Sequence, residues 1–513
     1  MAASSPDTKA RKSNNSNSSN DVSVKSLLSG QVVLCNLPVF ILVVVASLDN
    51  ADKQLLASSF PVLERTLDLS VETLGYFSLF TNLSYALSLP LWGWLVHRYG
   101  MKQIHMLLSM ACASWGCATI GIAVAGSSVV GQAFFRSLNG VALGSILPLS
   151  QTMLVGMVAP AMRGRAFGWM GLCEKLAGTA AAASVIYFDN WQRPHYILGF
   201  FSVAMAVIAN KELTPGKRKR AKQQSHNHPS KAKSTGSDHE RDDDDGMDGD
   251  ESNIPEEERL SIRQIIQRIT RIPAFTCLVA QGIFGGTPWD MMSFVLLLLD
   301  WRQFTKEQIV LIQFSTGMTG TLGGWVGGFL GDYAASRYAT HGRILVALSS
   351  VVLGIPFYGL FLFSTNFSAA LLYTNLFHLV ASWPPAGALR PICADLARNP
   401  SERAQIISLW IVLEKTSGAI FGAPLVGYLT SNMVEMKEKM DQTVQEDMAS
   451  KAHALASNLF GLSSFFWAVC ACFWVLMAYT LNQPMSGIDK NIQLEIYKKN
   501  GSNDDDSGKQ PLL

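Results

Sequence analysis

Apolar runs of membrane-spanning length recur along the chain, separated by short polar breaks. A helix that crosses the ~30 Å hydrocarbon layer needs about 20 mostly apolar residues. Runs of that kind occur at 31–58, 72–96, 103–125, 129–157, 165–187, 192–209, 273–299, 307–331, 343–365, 369–396, 404–430 and 457–481. The sixth is short, its continuous apolar stretch running only from Tyr196 to Ala209. The first is interrupted by Asp49, Asp52 and Lys53. The pattern predicts an all-α polytopic membrane protein with twelve transmembrane helices.

Polar residues are concentrated outside those runs, and they divide the chain. Residues 1–30 read as a disordered cytoplasmic N-terminus, 31–209 as a six-helix bundle, 210–272 as a disordered cytoplasmic linker, 273–482 as a second six-helix bundle and 483–513 as a disordered tail. The linker opens on Lys217-Arg218-Lys219-Arg220 and turns acidic through Asp242–Asp245 and Glu256–Glu258, too charged to bury a core. Its basic run reads as a topology anchor beside the sixth helix in preference to a nuclear localisation signal. The mixed-charge stretch 431–455 is expected to form a short helix over the mouth of the bundle.

Composition sharpens the class. Hydrophobic residues make up 49% and charged residues 16%, against roughly a quarter charged in soluble domains. A net charge of +2 gives no case for nucleic-acid binding. All eight cysteines fall in apolar stretches without metal-ligand spacing, so they read as small buried hydrophobes; neither a disulfide framework nor a metal or cofactor site is expected. The polar, Ser- and Asn-rich start lacks the form of a secretory signal peptide, and insertion is expected to rely on the first helix. The closing Gln510-Pro511-Leu512-Leu513 is similar to an acidic dileucine sorting signal, with Gly508 where the acid belongs. The plasma membrane and an endolysosomal membrane therefore both stay open.

Orientation follows from Lys and Arg in the loops. With a cytoplasmic N-terminus the inner segments hold 29 of them and the outer segments 7, so both termini are predicted cytoplasmic. The sequon Asn366-Phe367-Ser368 then falls in an outer loop.

The two halves also echo each other. Pro160, Arg163, Glu174, Lys175 and Gly178 recur 240 residues later as Pro400, Arg403, Glu414, Lys415 and Gly418. Duplicated six-helix halves with a site near the bilayer midplane are a transporter design. The stretch GWLVHRYGMK (93–102) resembles the signature loop between the second and third helices of the major facilitator superfamily, with His97 at the usual Asp position. Its second-half copy GGFLGD (327–332) keeps the acid as Asp332. FRSLNGVALGSILPLSQ (135–151), RGRAFGW (163–169), QGIFGGTPW (281–289) and SWPPAGALRPICADLARNPSERA (382–404) are similar to Spinster-like members, in particular a plant and protist branch. The resemblance covers about 30–210 and 273–482. It implies the major facilitator fold, two six-helix bundles, a monomer in the lipid bilayer and a small-molecule substrate, with protons as a possible second cargo.

A charge at the bilayer centre costs roughly 2.5–3.5 kcal/mol on insertion scales, so such residues face a cavity or a partner. The set is Asp49, Asp52, Lys53, Arg136, Glu174, Lys175, Asp290, Arg390, Glu414 and Lys415. Equal numbers of acids and bases leave structural ion pairs as an open alternative throughout. The resemblance places helices one, four, seven and ten around a central cavity, which makes Arg136, Asp290, Trp289 and Arg390 the expected substrate contacts. The guanidinium groups are read as clamps for a carboxylate or phosphate, or as bridges to Glu174 and Glu414. Asp49 and Asp52, three apart, are expected to share a face and couple transport to protons, with Lys53 pointing elsewhere. Glu174 and Glu414 join them as proton-coupling candidates. His97, Arg98, Arg163, Arg165, Asp332, Arg403, Lys175 and Lys415 are expected to gate or to serve structure. Gly140/Gly144 and Gly320/Gly324/Gly328 are read as helix-packing contacts, and Pro148, Pro288, Pro384 and Pro385 as bends.

The expected function is secondary active transport of an anionic metabolite or a lipid-derived amphiphile by alternating access. A sensor or adaptor that kept the transporter fold is the alternative. An enzyme is not expected, since neither a metal-spaced cluster nor a GxSxG nucleophile with a base occurs. The chain also lacks a GxxxxGK[ST] nucleotide loop.

Overall fold

The computed structural model describes residues 36–158, 162–226, 273–395, 400–440 and 448–481. They form twelve long helical segments in two sets of six. In the first set α1 is Leu37–Leu67, α2 covers 71–99, α3 is Gln103–Ala125, α4 is Val129–Met157, α5 is Arg163–Phe188 and α6 is Gln192–Glu212. In the second, α7 is Pro273–Trp301, α8 covers 306–338, α9 is His341–Phe363, α10 covers 367–395, α11 covers 400–440 and α12 is Met448–Leu481. Among the described residues, six helices are long and apolar enough to cross a membrane by composition alone. The mid-depth ionisable residues lie on both kinds of helix: Asp49, Asp52, Lys53, Glu174 and Lys175 on α1 and α5, and Arg136, Asp290, Glu414 and Lys415 on the apolar spans α4, α7 and α11.

Each set begins and ends on one face of the molecule, here the linker face; the opposite side is the far face. Far-face turns are sharply specified. Ser70, Ser128, Thr305 and Asn366 cap the N-termini of α2, α4, α8 and α10, each side chain accepting from a backbone N–H two or three residues on. Asp68 and Asp189 stop α1 and α5 in the left-handed region, which short acidic side chains tolerate. On the linker face Gly100, at φ 63° and ψ −179°, turns α2 into α3 where a β-carbon would be strained. The matching turn from α8 to α9 brings Gly342 against the carbonyl of Ala334, eight residues back. A straight helix would hold those residues about 12 Å apart.

Several helices depart from the expected spans. α1 runs to Leu67, nine residues past 58, because Phe60, Val62 and Leu63 are buried in the core. α4 breaks at Gly144–Ser145, just before Pro148. α7 tightens to a 3-10 turn at Met292–Phe294, after Pro288, and α10 widens to a π-turn at Pro385–Leu389. Residues 431–440 continue α11 and 448–455 open α12, so those parts of the expected mouth helix belong to the two spans; 441–447 lie outside the described residues. A polar helix, Pro215–His226, follows α6, with Lys217 paired to Glu212 at 2.7 Å.

The halves meet along α2 with α11 and α5 with α8. From mid-depth to the far face this seam is bonded: Gln313 to Gln54 (3.3 Å), Trp301 Nε1 to Glu64 (2.8 Å), and the backbone N–H of Glu72 to Ser431 (3.2 Å). Arg65 pairs with Asp189 (3.1 Å) and lies 3.9 Å from Asp300, and Lys306 lies 3.9 Å from Asp189. Toward the linker face Leu87, Leu91 and Trp94 on α2 and Trp325, Phe329 and Tyr333 on α8 are exposed. A β-carbon added at Gly168 or Gly171 on α5 would meet nothing within 4 Å.

Candidate functional site

The mid-membrane charges sort into two groups. The first is sealed inside the N-terminal half. Asp52 on α1 accepts from Thr119 of α3 and from Asn139 of α4 (3.1 Å), and Asn139 also reaches Thr119 (3.0 Å). One turn along α4, Arg136 donates to Gln132 (3.1 Å) and lies over the ring of Phe77 (4.9 Å). Gln132 in turn donates to the carbonyl of Gly126 (2.7 Å), and Asp52 is the carboxylate that acts on Arg136. Arg136 is 2% exposed and Asp52 6%. Low dielectric strengthens these bonds, and within the network Nε of Arg136 is buried without a hydrogen-bond partner among the described residues.

The second group lies between the halves. Lys53 bridges to Asp49 one turn below it (2.8 Å) and sits over the ring of Tyr85 on α2 (4.8 Å). Glu174 on α5 lies within electrostatic reach of both Asp49 and Lys53. Lys175 is exposed and acts on His378 of α10, so it points across to the other half. In that half, Asp290 and Glu414 both act electrostatically on Lys415, which also senses Tyr85 and Lys53. Asn82 of α2 reaches Asp290 at 3.5 Å. Trp289, 37% exposed, packs edge-on to His378 (6.1 Å).

This placement changes several expectations. Asp49 and Asp52 do not form one shared carboxylate site: Asp49 turns to Lys53, while Asp52 is drawn between α3 and α4. Lys53 does not point elsewhere, because a four-residue step on a helix brings its ammonium back over Asp49. Arg136 bonds to Gln132 in place of Glu174, so that bridge is absent. Arg390 is exposed near the linker end of α10, whereas Glu414 lies against Gly286 of α7, so the second bridge is absent too. Asp332 pairs with Arg343 (2.9 Å), which also donates to the carbonyl of Gly387 (3.1 Å), tying α8, α9 and α10 together. Arg98 is exposed and Arg163 half-buried. The side chains of His97, Arg165 and Arg403 lie outside the described residues. Thr119, Gln132, Asn139, Asn82 and Tyr85 belong to these groups without a formal charge, and their signal in the sequence is a polar residue inside an apolar run.

Among the described residues, His, Cys, Asp and Glu form no group suited to a metal ion. A surface pocket of about 340 Å³ on the far face, lined by Thr66, Gly126, Asp189 and Gln192 among others, is apart from both charged groups.

The chain resembles known transporters in fold. It superposes on a bacterial homolog of the human lysosomal transporter Spinster, in an inward-facing and unoccupied conformation, with a TM-score of 0.65 at 16% identity. That match covers 86% of this chain and 97% of the other. The nucleoside transporter NupG follows at a TM-score of 0.58 and 14% identity, covering 87% and 100% of the two chains. A D-xylose–proton symporter matches at 0.55 and 12%, covering 86% and 96%. No curated relative matches in sequence. Across residues 42–423, which contain both charged groups, the sequence matches the model of the Major Facilitator Superfamily. The protein is therefore an integral membrane protein of that superfamily, a transporter and not an enzyme.

Proposed function

We propose that the protein is a monomeric secondary active transporter that moves a small organic solute by alternating access, coupled to protons, with both termini in the cytoplasm. The observation that carries this reading is the charged group at mid-depth between the halves, with polar bonds across the seam running from there to the far face. Such a molecule is closed on the far side and opens toward the linker face, and rocking of the halves would reverse the two.

The favoured solute is an anionic metabolite or a lipid-derived amphiphile. With Arg136 committed inside the N-terminal half and Lys53 paired to Asp49, the cations offered to an acidic group are Lys175 and Lys415, and Trp289 supplies an apolar wall beside them. A plasma or endolysosomal membrane fits this role.

Metabolite profiling of cells with and without the gene, followed by counterflow of the leading organic anions and lysolipids in proteoliposomes, tests the reading. Saturable counterflow that collapses in Lys175→Gln and Lys415→Gln is expected. Counterflow untouched by both substitutions would remove the lysines from the site, and absence of counterflow for every candidate would favour a sensor.

A further inference from the structure

Two rocking halves make their repeat-related positions chemically comparable, and at one such position the halves differ. A β-carbon placed on Gly178 of α5 would strike Oδ1 of Asn50 on α1. One placed on Gly418 of α11 would strike Oδ2 of Asp290 on α7. Both pairs are related by the same shift of 240 residues that relates Glu174 to Glu414 and Lys175 to Lys415. The N-terminal triad is therefore amide, carboxylate and lysine; the C-terminal triad is carboxylate, carboxylate and lysine. One half balances its charge, and the other carries one negative charge too many.

We propose that Asp290 and Glu414 together bind the single proton that couples transport, with Lys415 as the fixed cation that holds whichever carboxylate stays ionised; this rests on the transport reading above. The surroundings favour that assignment. Glu414 Oε1 comes within 2.9 Å of a β-carbon position on Gly286, and Asp290 is wedged against Gly418 and Gly422. Each carboxylate thus sits on a glycine of the opposite helix, four residues from the other acid. Asp290 has one weak donor, Asn82 at 3.5 Å, and Glu414 accepts no hydrogen bond among the described residues. Two carboxylates served by one ammonium in a low-dielectric site do not both stay ionised.

The charged and titratable neighbours do not remove the surplus. Lys53, which reaches Lys415 electrostatically from α1, is held by Asp49, and Tyr85 comes from α2. His378 of α10 packs on Trp289, not on Asp290. At this depth α12 presents Ser463, Trp467 and Cys470, none of them a base. Both acids press on backbone, Asp290 on Gly418 and Gly422 and Glu414 on Gly286, and a proton needs no more space than one carboxyl oxygen. The proton enters from water at one face, forms a carboxyl O–H bond, and leaves to water at the other face when that bond breaks. Of the mid-membrane acids on α1, Asp49 pairs with Lys53 through Oδ2, and Asp52 accepts from Thr119 and Asn139.

Attenuated-reflection infrared spectroscopy of the full chain in liposomes reads this without a solute, through the C=O stretch of a protonated carboxyl. The wild type is expected to show that band near neutral pH and to lose it on alkalinisation. Asp290→Asn, which copies Asn50, and Glu414→Gln are each expected to abolish it, whereas Asp49→Asn and Asp52→Asn keep it. A band that survives both Asp290→Asn and Glu414→Gln, that disappears in Asp49→Asn or Asp52→Asn instead, or that is removed by Na⁺ at constant pH would overturn the assignment. Loss of the band in Asp290→Asn supports the proton site even if counterflow fails for every solute, so the two readings fall separately.

Discussion

The far-face closure depends on two glycines, and their substitution is the most direct test of how the halves are held. A β-carbon on Gly75 of α2 would lie 2.9 Å from the carbonyl oxygen of Ala423 and 3.1 Å from Cα of Pro424. One on Gly427 of α11 would lie 2.7 Å from the carbonyl oxygen of Val71 and 3.1 Å from Cα of Glu72. Ordinary contact begins at 3.4 Å, so each added methyl asks α2 and α11 to part by about half an ångström. The atoms struck are backbone and cannot swing aside as a side chain would. Overpacking of this kind costs about 1–3 kcal/mol, and it is felt only while the far face is closed. At 1.4 kcal/mol per factor of ten, a penalty of ~2 kcal/mol shifts the closed-to-open ratio by roughly 30-fold. Pulsed electron-electron resonance between nitroxides at Ser127 and Thr365, both exposed on the far face of opposite halves, reads the change. The eight native cysteines are replaced for labelling. Gly75→Ala with Gly427→Ala is expected to add a longer-distance population. An unchanged distance distribution in a folded, thermally intact double variant would refute the claim that this crossing sets the closure.

Other consequences follow from the same contacts. Arg65→Ala removes half-exposed ion pairs to Asp189 and Asp300, so it should shift the same distances by less than ~1 kcal/mol, an effect that vanishes in high salt. Arg136→Met removes the buried donor to Gln132 and the cation over Phe77 and is expected to destabilise by about 1–3 kcal/mol, measured as loss of monodisperse protein and a lower Tm; Arg136→Lys should recover part of it. Trp301→Phe deletes the donor to the Glu64 carboxylate and should cost about 1–3 kcal/mol of far-face closure, seen in the nitroxide distances. Asp290→Asn, by contrast, should change the stability by less than about 1 kcal/mol, because the equivalent site already accepts Asn50; a large drop in Tm by differential scanning fluorimetry would contradict the equivalence of the halves.

Sequence and tertiary structure contributed different things here. The number and type of helices, the division at the linker and the kinship of the halves were legible because membrane-length apolar runs and a fixed 240-residue echo are local or additive properties. Nearly every mid-membrane charge was legible too, since a charge in such a run is conspicuous. What each charge touches was not legible. Asp49 and Asp52 are three residues apart, yet a helical turn of 100° per residue lets one face the seam and the other face the inside of its own half. Only the packing of α3 and α4 decided that. Arg136 looked like a substrate clamp until Gln132 and Phe77 enclosed it. The repeat was visible as sequence, but its chemical asymmetry, Asn50 against Asp290, emerged once Gly178 and Gly418 showed what each helix presses on. The chain alone determines which polar groups must be carried into the membrane; the crossing of helices distant in sequence decides which of them are satisfied and which are left for cargo.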